Sequence, residues 1–330
     1  MAQSLLYILY KSFNTLVKEP VIFMEKEFQE FISNITLTST QNNDARTKYT
    51  GVCEKLFSHF YSGEYDDKKK FLFGSYKTKT NVRPLTPDQD VDVLFKIPQE
   101  VYDKYDNYNS NGQAALLQEV KDVLKEKYTT TDKIKAWGKV VLVEFSENHH
   151  NIELLPALEQ DDKSFLIPNS EDGGKWDLFD PRAEVNRFNE SNNSTSGLTR
   201  DLAKMLKTWA YENTSMNYKS CKRLDDIIDF LNDFYPKGKG NECFSKIVFD
   251  FFDYMRDNCD DSISSFIKTA YGRAQKALQY DDNGKQIEAS CEWRKIFGKE
   301  FPKVIANNEN RSQSISETPI RPWFDFKKMK

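Results

Sequence analysis

The sequence predicts an α+β protein that combines a mixed β-sheet with a helical C-terminal region. Short apolar runs that suit strands alternate with helix-like segments up to residue 189, and apolar residues at helical spacing dominate beyond it. A chain of 330 residues is long enough for two domains with a large core, which its 14% aromatic content can fill. We therefore predict a sheet-containing lobe over residues 1–189 and a helical lobe over residues 190–330.

The elements of the first lobe follow from the spacing of its apolar residues. Residues 1–37 show helical spacing around Pro20, which is placed to start or bend a helix, and residues 45–61 show a second helical pattern. A short apolar strand at residues 71–73 comes next. The other elements of this lobe are one helix and two strands, predicted at residues 113–128, 140–145 and 151–155.

Polar residues 190–197 predict a linker between the lobes. The helices predicted beyond it lie at residues 198–211, 224–234, 244–255 and 262–278. The polar tail that begins at residue 307 ends with an aromatic cluster at residues 322–326. We expect that cluster to dock on the body of the protein, and a partner-binding tail is the alternative.

The first residues that carry chemistry are Gly74-Ser75, at the end of the first strand, and Asp90 and Asp92, on the next one. Alternate side chains of a strand share a face, so the two aspartates lie on one side and the intervening valines on the other. Two carboxylates about 6 to 7 Å apart along a strand repel each other, and a hard cation such as Mg²⁺ relieves that repulsion. Backbone N–H groups at a glycine turn can cradle phosphate oxygens. A solvated edge strand is the alternative interpretation, and the Gly-Ser corner favours a metal and phosphate site.

A third acid belongs to the returning strand at residues 151–155. Glu153 lies between Ile152 and Leu154, so it points to the face opposite both of them. The sequence Pro156-Ala157 follows directly.

Together these motifs resemble those of the bacterial cGAS/DncV-like nucleotidyltransferases. The resemblance covers roughly residues 50–235 and includes Gly-Ser, Asp-x-Asp, the Ile-acid-x-x-Pro-Ala segment, and then Trp176 and Asp180-Pro181. It implies a two-lobed nucleotidyltransferase fold with an N-terminal helix that braces both lobes. It also implies that Asp90, Asp92 and Glu153 are catalytic and hold two Mg²⁺ ions, for which Mn²⁺ is the substitute.

Two features of the sequence depart from the family pattern. Glu153 stands where family members more often have aspartate, which keeps the charge and adds one methylene of reach. The spacer between Ser75 and Asp90 is longer than usual, so a metal pair of Asp88 and Asp90 is an alternative. Pro87 interrupts the strand ladder before Asp88, which favours Asp90 and Asp92.

The helix predicted at residues 198–211 supplies the candidate phosphate contact. Leu202, Leu206 and Trp209 share one face, and Lys204 and Lys207 belong to the opposite stripe. A solvated basic face is the alternative interpretation. The sequence Lys207-Thr208-Trp209 is similar to a Lys-x-Trp motif of the family. The resemblance implies that Lys207 contacts the triphosphate, as the lysine of that motif does. The full set of predicted nucleotide-binding residues is Gly74, Ser75, Lys77, Asn169, Lys207, Tyr218 and Ser220.

Composition and charge exclude several other classes. The 47 basic and 51 acidic residues give a net charge of −4, which argues against binding extended nucleic acid. The five scattered cysteines include no Cys-x-x-Cys pair, so we expect reduced thiols, a cytoplasmic protein and no zinc ribbon. No apolar run approaches the roughly 20 residues of a membrane span, and we expect no membrane association and no signal peptide. His149-His150 falls in a polar turn, and we expect a structural or exposed pair there.

The resemblance implies that the substrates are nucleoside triphosphates and that the acceptor is another nucleotide. A second transfer would then close a cyclic di- or trinucleotide, which a separate effector protein reads in bacterial anti-phage signalling. We expect the enzyme to be a monomer. Two alternatives remain open, an RNA- or protein-directed nucleotidylyltransferase of the tRNA-tailing or toxin type and a non-catalytic nucleotide sensor.

Overall fold

A computed structural model describes residues 24–86, 89–129, 133–146, 149–234 and 243–305. Internal contacts divide the chain into a larger unit, Ile32–Gly240, and a smaller unit formed by Met1–Phe31 and Asn241–Lys330. The boundary predicted at residue 189 falls inside the larger unit. The start of the predicted N-terminal helix, Asp88 and the aromatic tail lie outside the described residues.

The larger unit contains a sheet with both parallel and antiparallel neighbours, so the prediction of a mixed sheet is confirmed. Its strands are β1 Lys70–Leu72, β2 Asp90–Lys96, β3 Ile134–Trp137, β4 Val140–Val143, β5 Asn151–Glu159, β6 Phe165–Asn169 and β7 Lys175–Phe179. The order is β1-β2-β5-β4-β3, and β6 pairs with β5 and β7. Strands β2 and β5 run parallel, whereas the other paired strands run antiparallel.

Eleven α-helices occur in the described ranges. They are α1 Glu25–Ile35, α2 Ser39–Phe60, α3 Gly74–Thr78, α4 Gln99–Asp106, α5 Gly112–Lys127, α6 Pro181–Ser194, α7 Leu198–Tyr211, α8 Ser220–Asp229, α9 Phe244–Asn258, α10 Asp261–Asp282 and α11 Gln286–Phe297. Among the described residues, none of these helices is long and apolar enough to cross a membrane.

Side-chain caps explain where several helices begin. Thr38 accepts from the backbone of Gln41, whose side chain in turn accepts from the Thr38 N–H, and this capping box starts α2. The Asn111 side chain accepts from Ala114 N at 2.8 Å and starts α5. Asp180 caps α6, and Pro181 occupies its first turn. The Asp-Pro pair read from the sequence therefore marks the first turn of a helix.

Two apolar layers cover the sheet and decide which face carries the acids. Val91 and Val93 of β2 pack in one layer with residues of α2 and α5. Leu94 of β2 and Leu155 of β5 belong to the other layer, with Phe165. Because strand side chains alternate, Asp90 and Asp92 point to the second side, as predicted.

The linker predicted at residues 190–197 is wrong. Most of that segment completes α6, and Ser191 and Asn192 are buried. Ser191 Oγ lies 2.9 Å from Thr199 Oγ1, and Asn192 Oδ1 accepts from Arg200 N at 3.0 Å. A polar segment looks like a linker in sequence, but here its side chains join α6 to α7 through hydrogen bonds.

The smaller unit is built around an aromatic core. Phe28 packs edge-on against Trp293 with ring centroids 5.0 Å apart, and Phe31 lies 4.7 Å from Phe297. Phe301 contacts both phenylalanines of α1. These rings are fully buried, so they supply much of the apolar area that stabilises this unit.

The two adjacent histidines have different environments. His149 is exposed, with Nδ1 2.9 Å from Asp44 Oδ2. His150 is fully buried beside the Tyr76 ring, and neither of its ring nitrogens has a hydrogen-bond partner in the described part of the chain. Burial lowers the pKa of His150 to about 4.

We expect His150 to make the protein sensitive to acid. The unfolded chain binds a proton near pH 6.5 and the folded chain only near pH 4, so stability is lost as pH falls between these values. Between pH 7.5 and pH 5.0 the wild type should lose about 2 kcal/mol more unfolding free energy than His150→Leu. Urea unfolding at both pH values measures this difference. His149→Gln is the control and should keep the acid sensitivity, whereas equal pH dependence in wild type and His150→Leu would contradict the assignment.

Candidate active site

A cavity of about 600 Å³ lies in the larger unit, next to the acidic ends of β2 and β5. Its volume falls in the range of small-molecule sites, roughly 300 to 1,000 Å³. The lining includes most of the residues predicted from sequence, namely Gly74, Ser75, Asp90, Asp92, Glu153, Lys207, Tyr218 and Ser220.

The three predicted acids occupy neighbouring positions on β2 and β5. Asp92 is the register partner of Glu153, and Asp90 is two residues before it on the same face. Burial, together with the nearby charges of Glu153 and Asp90, raises the pKa of Asp92 to about 7. Burial and the Asp90 charge also raise the pKa of Glu153. The cluster therefore resists carrying three negative charges unless a cation neutralises it.

The Gly74-Ser75 corner is fitted closely to Asp92. Gly74 has a φ of +61°, and a Cβ atom there would lie 2.1 Å from Asp92 Oδ2. The corner is held by Thr78 Oγ1, which donates to the Gly74 carbonyl at 3.0 Å, and by Thr80 N, which donates to the Ser75 carbonyl at 2.9 Å. Only glycine allows the backbone to approach the carboxylate this closely.

Helix α7 has the bounds predicted from sequence, but its basic stripe is not solvated. Lys207 is 8% exposed and faces the cavity, and Lys204 is 7% exposed. Lys204 Nζ donates to Thr36 Oγ1 at 3.0 Å, and Arg200 Nε donates to the Thr78 carbonyl at 3.1 Å. The solvated-face interpretation is therefore wrong, and only Lys207 of these three residues lines the cavity.

Burial and nearby charges set the pKa of Lys207. Burial and then the Arg223 charge lower its pKa to about 8, against the opposing effect of Asp92 and Asp90. Its Nζ lies 5.9 Å from the centroid of the Tyr211 ring. A buried cation beside a carboxylate cluster is suited to a substrate that carries its own negative charge.

Ser220 and Tyr218 lie at the start of α8 and reach the cavity. The Tyr218 hydroxyl donates to Asp226 Oδ2 at 2.6 Å, and its ring meets Trp209 edge-on at 6.3 Å. Tyr218 is therefore held in place and only partly available to stack on a base.

Two predicted residues are not in the cavity lining. Lys77 is exposed on α3. Asn169 is buried in the hairpin of β6 and β7, where its Nδ2 donates to Asp177 Oδ2 at 2.9 Å and its Oδ1 accepts from Glu171 N at 3.0 Å. Its polar atoms are thus used within the hairpin.

Sequence reasoning missed two charged residues of the lining, Glu184 on α6 and Arg223 on α8. Burial and Asp225 raise the pKa of Glu184. Nothing in sequence distinguishes Glu184 from the other acids of a helix N-terminus. The position of Arg223, three residues after Ser220 on one helix, was a usable signal.

The acids suit a divalent ion, although they do not enclose one. Among the described residues, no three His, Cys, Asp or Glu side chains converge closely enough to hold a metal by themselves. Mg²⁺ takes oxygen ligands and is bound through one or two carboxylates completed by waters and substrate phosphates. An open set of three carboxylates facing a cavity fits that mode of binding.

Comparisons with known proteins identify relatives of this chain and a shared fold. A protein of Bacillus cereus strain VD146, named a probable cyclic nucleotide synthase, is 24% identical over 83% of this chain and 96% of its own. A cyclic AMP-AMP-AMP synthase of an Acinetobacter species is 22% identical over 92% of each chain. The structure of Vibrio cholerae DncV, a cyclic AMP-GMP synthase, with the linear intermediate pppA(3′,5′)pG has a TM-score of 0.63 to this chain. It is 13% identical and covers 83% of this chain and 96% of DncV, so it shows a shared fold.

The family profile of the Second Messenger Oligonucleotide or Dinucleotide Synthetase domain matches residues 23–192. That segment includes the Gly-Ser corner and all three acids. The predicted cGAS/DncV-like relationship and the two-lobed nucleotidyltransferase fold are therefore confirmed. The chain is an enzyme of the second messenger oligonucleotide or dinucleotide synthetase family.

Proposed function

We propose that this enzyme joins nucleoside triphosphates into a cyclic oligonucleotide by attack of a ribose hydroxyl on an α-phosphate. The observation that carries the proposal is one cavity that contains three carboxylates, the Gly-Ser corner and a buried lysine. Each transfer forms one phosphodiester bond and releases one pyrophosphate. The names of the two curated relatives support a cyclic product.

The residues of the chain divide the work of positioning and neutralising charge. Asp90, Asp92 and Glu153 would hold two Mg²⁺ ions, with Mn²⁺ as the substitute. When bound, these ions make the attacking hydroxyl more acidic and neutralise charge on the triphosphate. Ser75 lies at the corner beside Asp92, where its backbone can orient phosphate oxygens. Lys207 supplies a buried positive charge to the triphosphate. This contact holds the α-phosphate in position for in-line attack.

We further propose that the product is a di- or trinucleotide that a separate effector protein reads in anti-phage signalling. The enzyme would act as a cytoplasmic monomer. The named Acinetobacter relative supports a trinucleotide, and the DncV likeness allows a dinucleotide. Either product would form by repeated nucleotide transfer in one site.

The proposal is tested by incubating the protein with α-labelled nucleoside triphosphates and Mg²⁺, with and without added RNA, followed by phosphatase. We expect small labelled products that resist phosphatase and need no RNA. Label found only in a lengthened RNA would contradict the cyclic product and favour the tailing alternative. Absence of any transfer would favour a nucleotide sensor, although a pure sensor gains nothing from three mutually repelling acids.

Lys207→Met should lower kcat/KM about 10- to 100-fold, because a charge-assisted contact contributes about 1.5 to 3 kcal/mol. The buried ammonium is costly without substrate, so the unliganded variant should be at least as stable as the wild type. Steady-state kinetics and thermal unfolding measure the two effects.

The matched control is Lys77→Met, an exposed lysine outside the cavity lining. Lys204 is unsuitable as a control because its hydrogen bond to Thr36 supports the fold. Equal and small effects at Lys207 and Lys77 would contradict the triphosphate contact.

A further inference from the structure

The lining of the cavity contains a second buried cation, Arg223, which is 6% exposed. Its Nη1 donates to the Tyr218 carbonyl at 3.1 Å, and its Nη2 lies 3.5 Å from Ser220 Oγ. In the part of the chain that the structure describes, Arg223 forms no ion pair with a carboxylate. The guanidinium has five N–H donors, so these two bonds leave donors for another acceptor.

The N-terminus of α8 opens on the same cavity. The first N–H groups of a helix have no partner within it, and no side chain caps α8 at Lys219. Ser220 and Cys221, the first two residues of the helix, line the cavity. The partial positive charge of this end favours an anion.

Lys207 is a second observation that points to anion binding in this cavity. It is more than nine-tenths buried and lines the cavity, and within the described ranges it makes no hydrogen bond or ion pair. The Arg223 charge is the strongest charge that opposes its protonation. Two buried cations that repel each other are stabilised when an anion binds in the same cavity.

We infer that Arg223 is a specificity residue that, with the N-terminus of α8, binds the terminal phosphates of the substrate and selects triphosphates over diphosphates. The inference rests on the proposed function and extends it. Arg223 lines the same cavity as Lys207 but lies on another helix. The two cations can therefore bind different phosphates of one substrate. The planar guanidinium can bind a phosphate through two parallel N–H donors, which a lysine cannot do.

The inference is tested by binding of inorganic tripolyphosphate in EDTA, measured by calorimetry, with orthophosphate as the short-chain comparison. Arg223→Gln should weaken tripolyphosphate binding about 10- to 100-fold, as expected for loss of a charge-assisted contact. It should also reduce the preference for ATP over ADP, and leave adenosine binding unchanged. Arg223→Lys should fall between wild type and Arg223→Gln, because it keeps the charge and loses the paired donors.

The matched control is Arg187→Gln. Arg187, on α6, forms ion pairs with Asp225 and Asp229 of α8 and is outside the cavity lining. Its replacement should change tripolyphosphate affinity by no more than about twofold, as for an exposed ion pair. Equal affinities for wild type and a folded Arg223→Gln would overturn the inference.

Hydrogen exchange of the wild type keeps the test decisive if both Arg223 variants fail to fold. Tripolyphosphate in EDTA should protect the backbone N–H groups of residues 220–222, and absence of protection would overturn the inference. Because these measurements involve no turnover, they separate the inference from the reaction. Tripolyphosphate binding that depends on Arg223, in a protein that makes no cyclic product, would contradict the proposed function alone.

Discussion

Replacing Asp90 and Asp92 together by asparagine is expected to abolish product formation while the fold is retained. The double variant keeps the shape of β2 but removes two of the three charges that would hold the metal ions. Loss of a single preorganised charge-stabilising group costs about 100- to 1,000-fold in kcat, and two such losses should leave no measurable product. Removing two like charges from a buried cluster should also raise the melting temperature of the metal-free protein. Product assays and thermal unfolding in EDTA measure both effects.

The matched control for this pair is Asp103→Asn with Asp106→Asn. Both aspartates are exposed on α4, so the control removes the same formal charge outside the cavity lining. It should keep wild-type activity. If the Asp90 and Asp92 variant retains a wild-type rate, the carboxylate assignment is wrong. Strong loss in a separate Asp88→Asn variant would move the metal pair by two residues.

Gly74→Ala is expected to produce the second large effect. Its Cβ would lie 2.1 Å from Asp92 Oδ2, so either the carboxylate or the corner must move. The positive φ adds about 1 to 2 kcal/mol of strain for a residue other than glycine. A displacement of about 1 Å in a positioned catalytic group can cost 100-fold in rate, and we expect a loss of at least that size. Unfolding free energy and kcat together measure the effect.

Gly63→Ala separates backbone strain from the clash. Gly63 has a φ of +92°, and a Cβ atom there would meet nothing within 4 Å. This control should therefore show a similar strain cost with unchanged activity. Full activity in Gly74→Ala would mean that Asp92 is free to move without consequence, contrary to its proposed role.

The sequence predicted the acid face of the sheet well because strand alternation is a local property. The valines of β2 had to be buried, and burying them fixes the face of Asp90 and Asp92. Helix α7 was predicted with its observed bounds for the same reason, since its apolar spacing is regular. The fate of its polar stripe was not predictable, because a periodic pattern cannot distinguish solvent from a polar cavity or a buried hydrogen bond. Lys207 and Lys204 show these two outcomes on one helix.

Other features depend on contacts between distant segments. Strand β6 contains Pro168, a residue that usually argues against a strand, and the hairpin with β7 holds it in place. The polar segment at the end of α6 has the composition of a linker, and its burial arises only when Thr199 and Arg200 of α7 contact it. The spacing of Arg223 from Ser220 indicates a shared helix face, but only the placement of α8 brings that face to the cavity.

The most direct test of cyclic product formation is the ratio of pyrophosphate released to nucleoside triphosphate consumed, measured with the mass of the purified product. A ring consumes every triphosphate at its α-phosphate, so we expect one pyrophosphate per nucleotide and a mass equal to whole nucleotide units without terminal phosphates. A linear product keeps one triphosphate end, so it would give fewer pyrophosphates than nucleotides and a heavier mass. That result from the purified wild type with Mg²⁺ would contradict the proposed reaction.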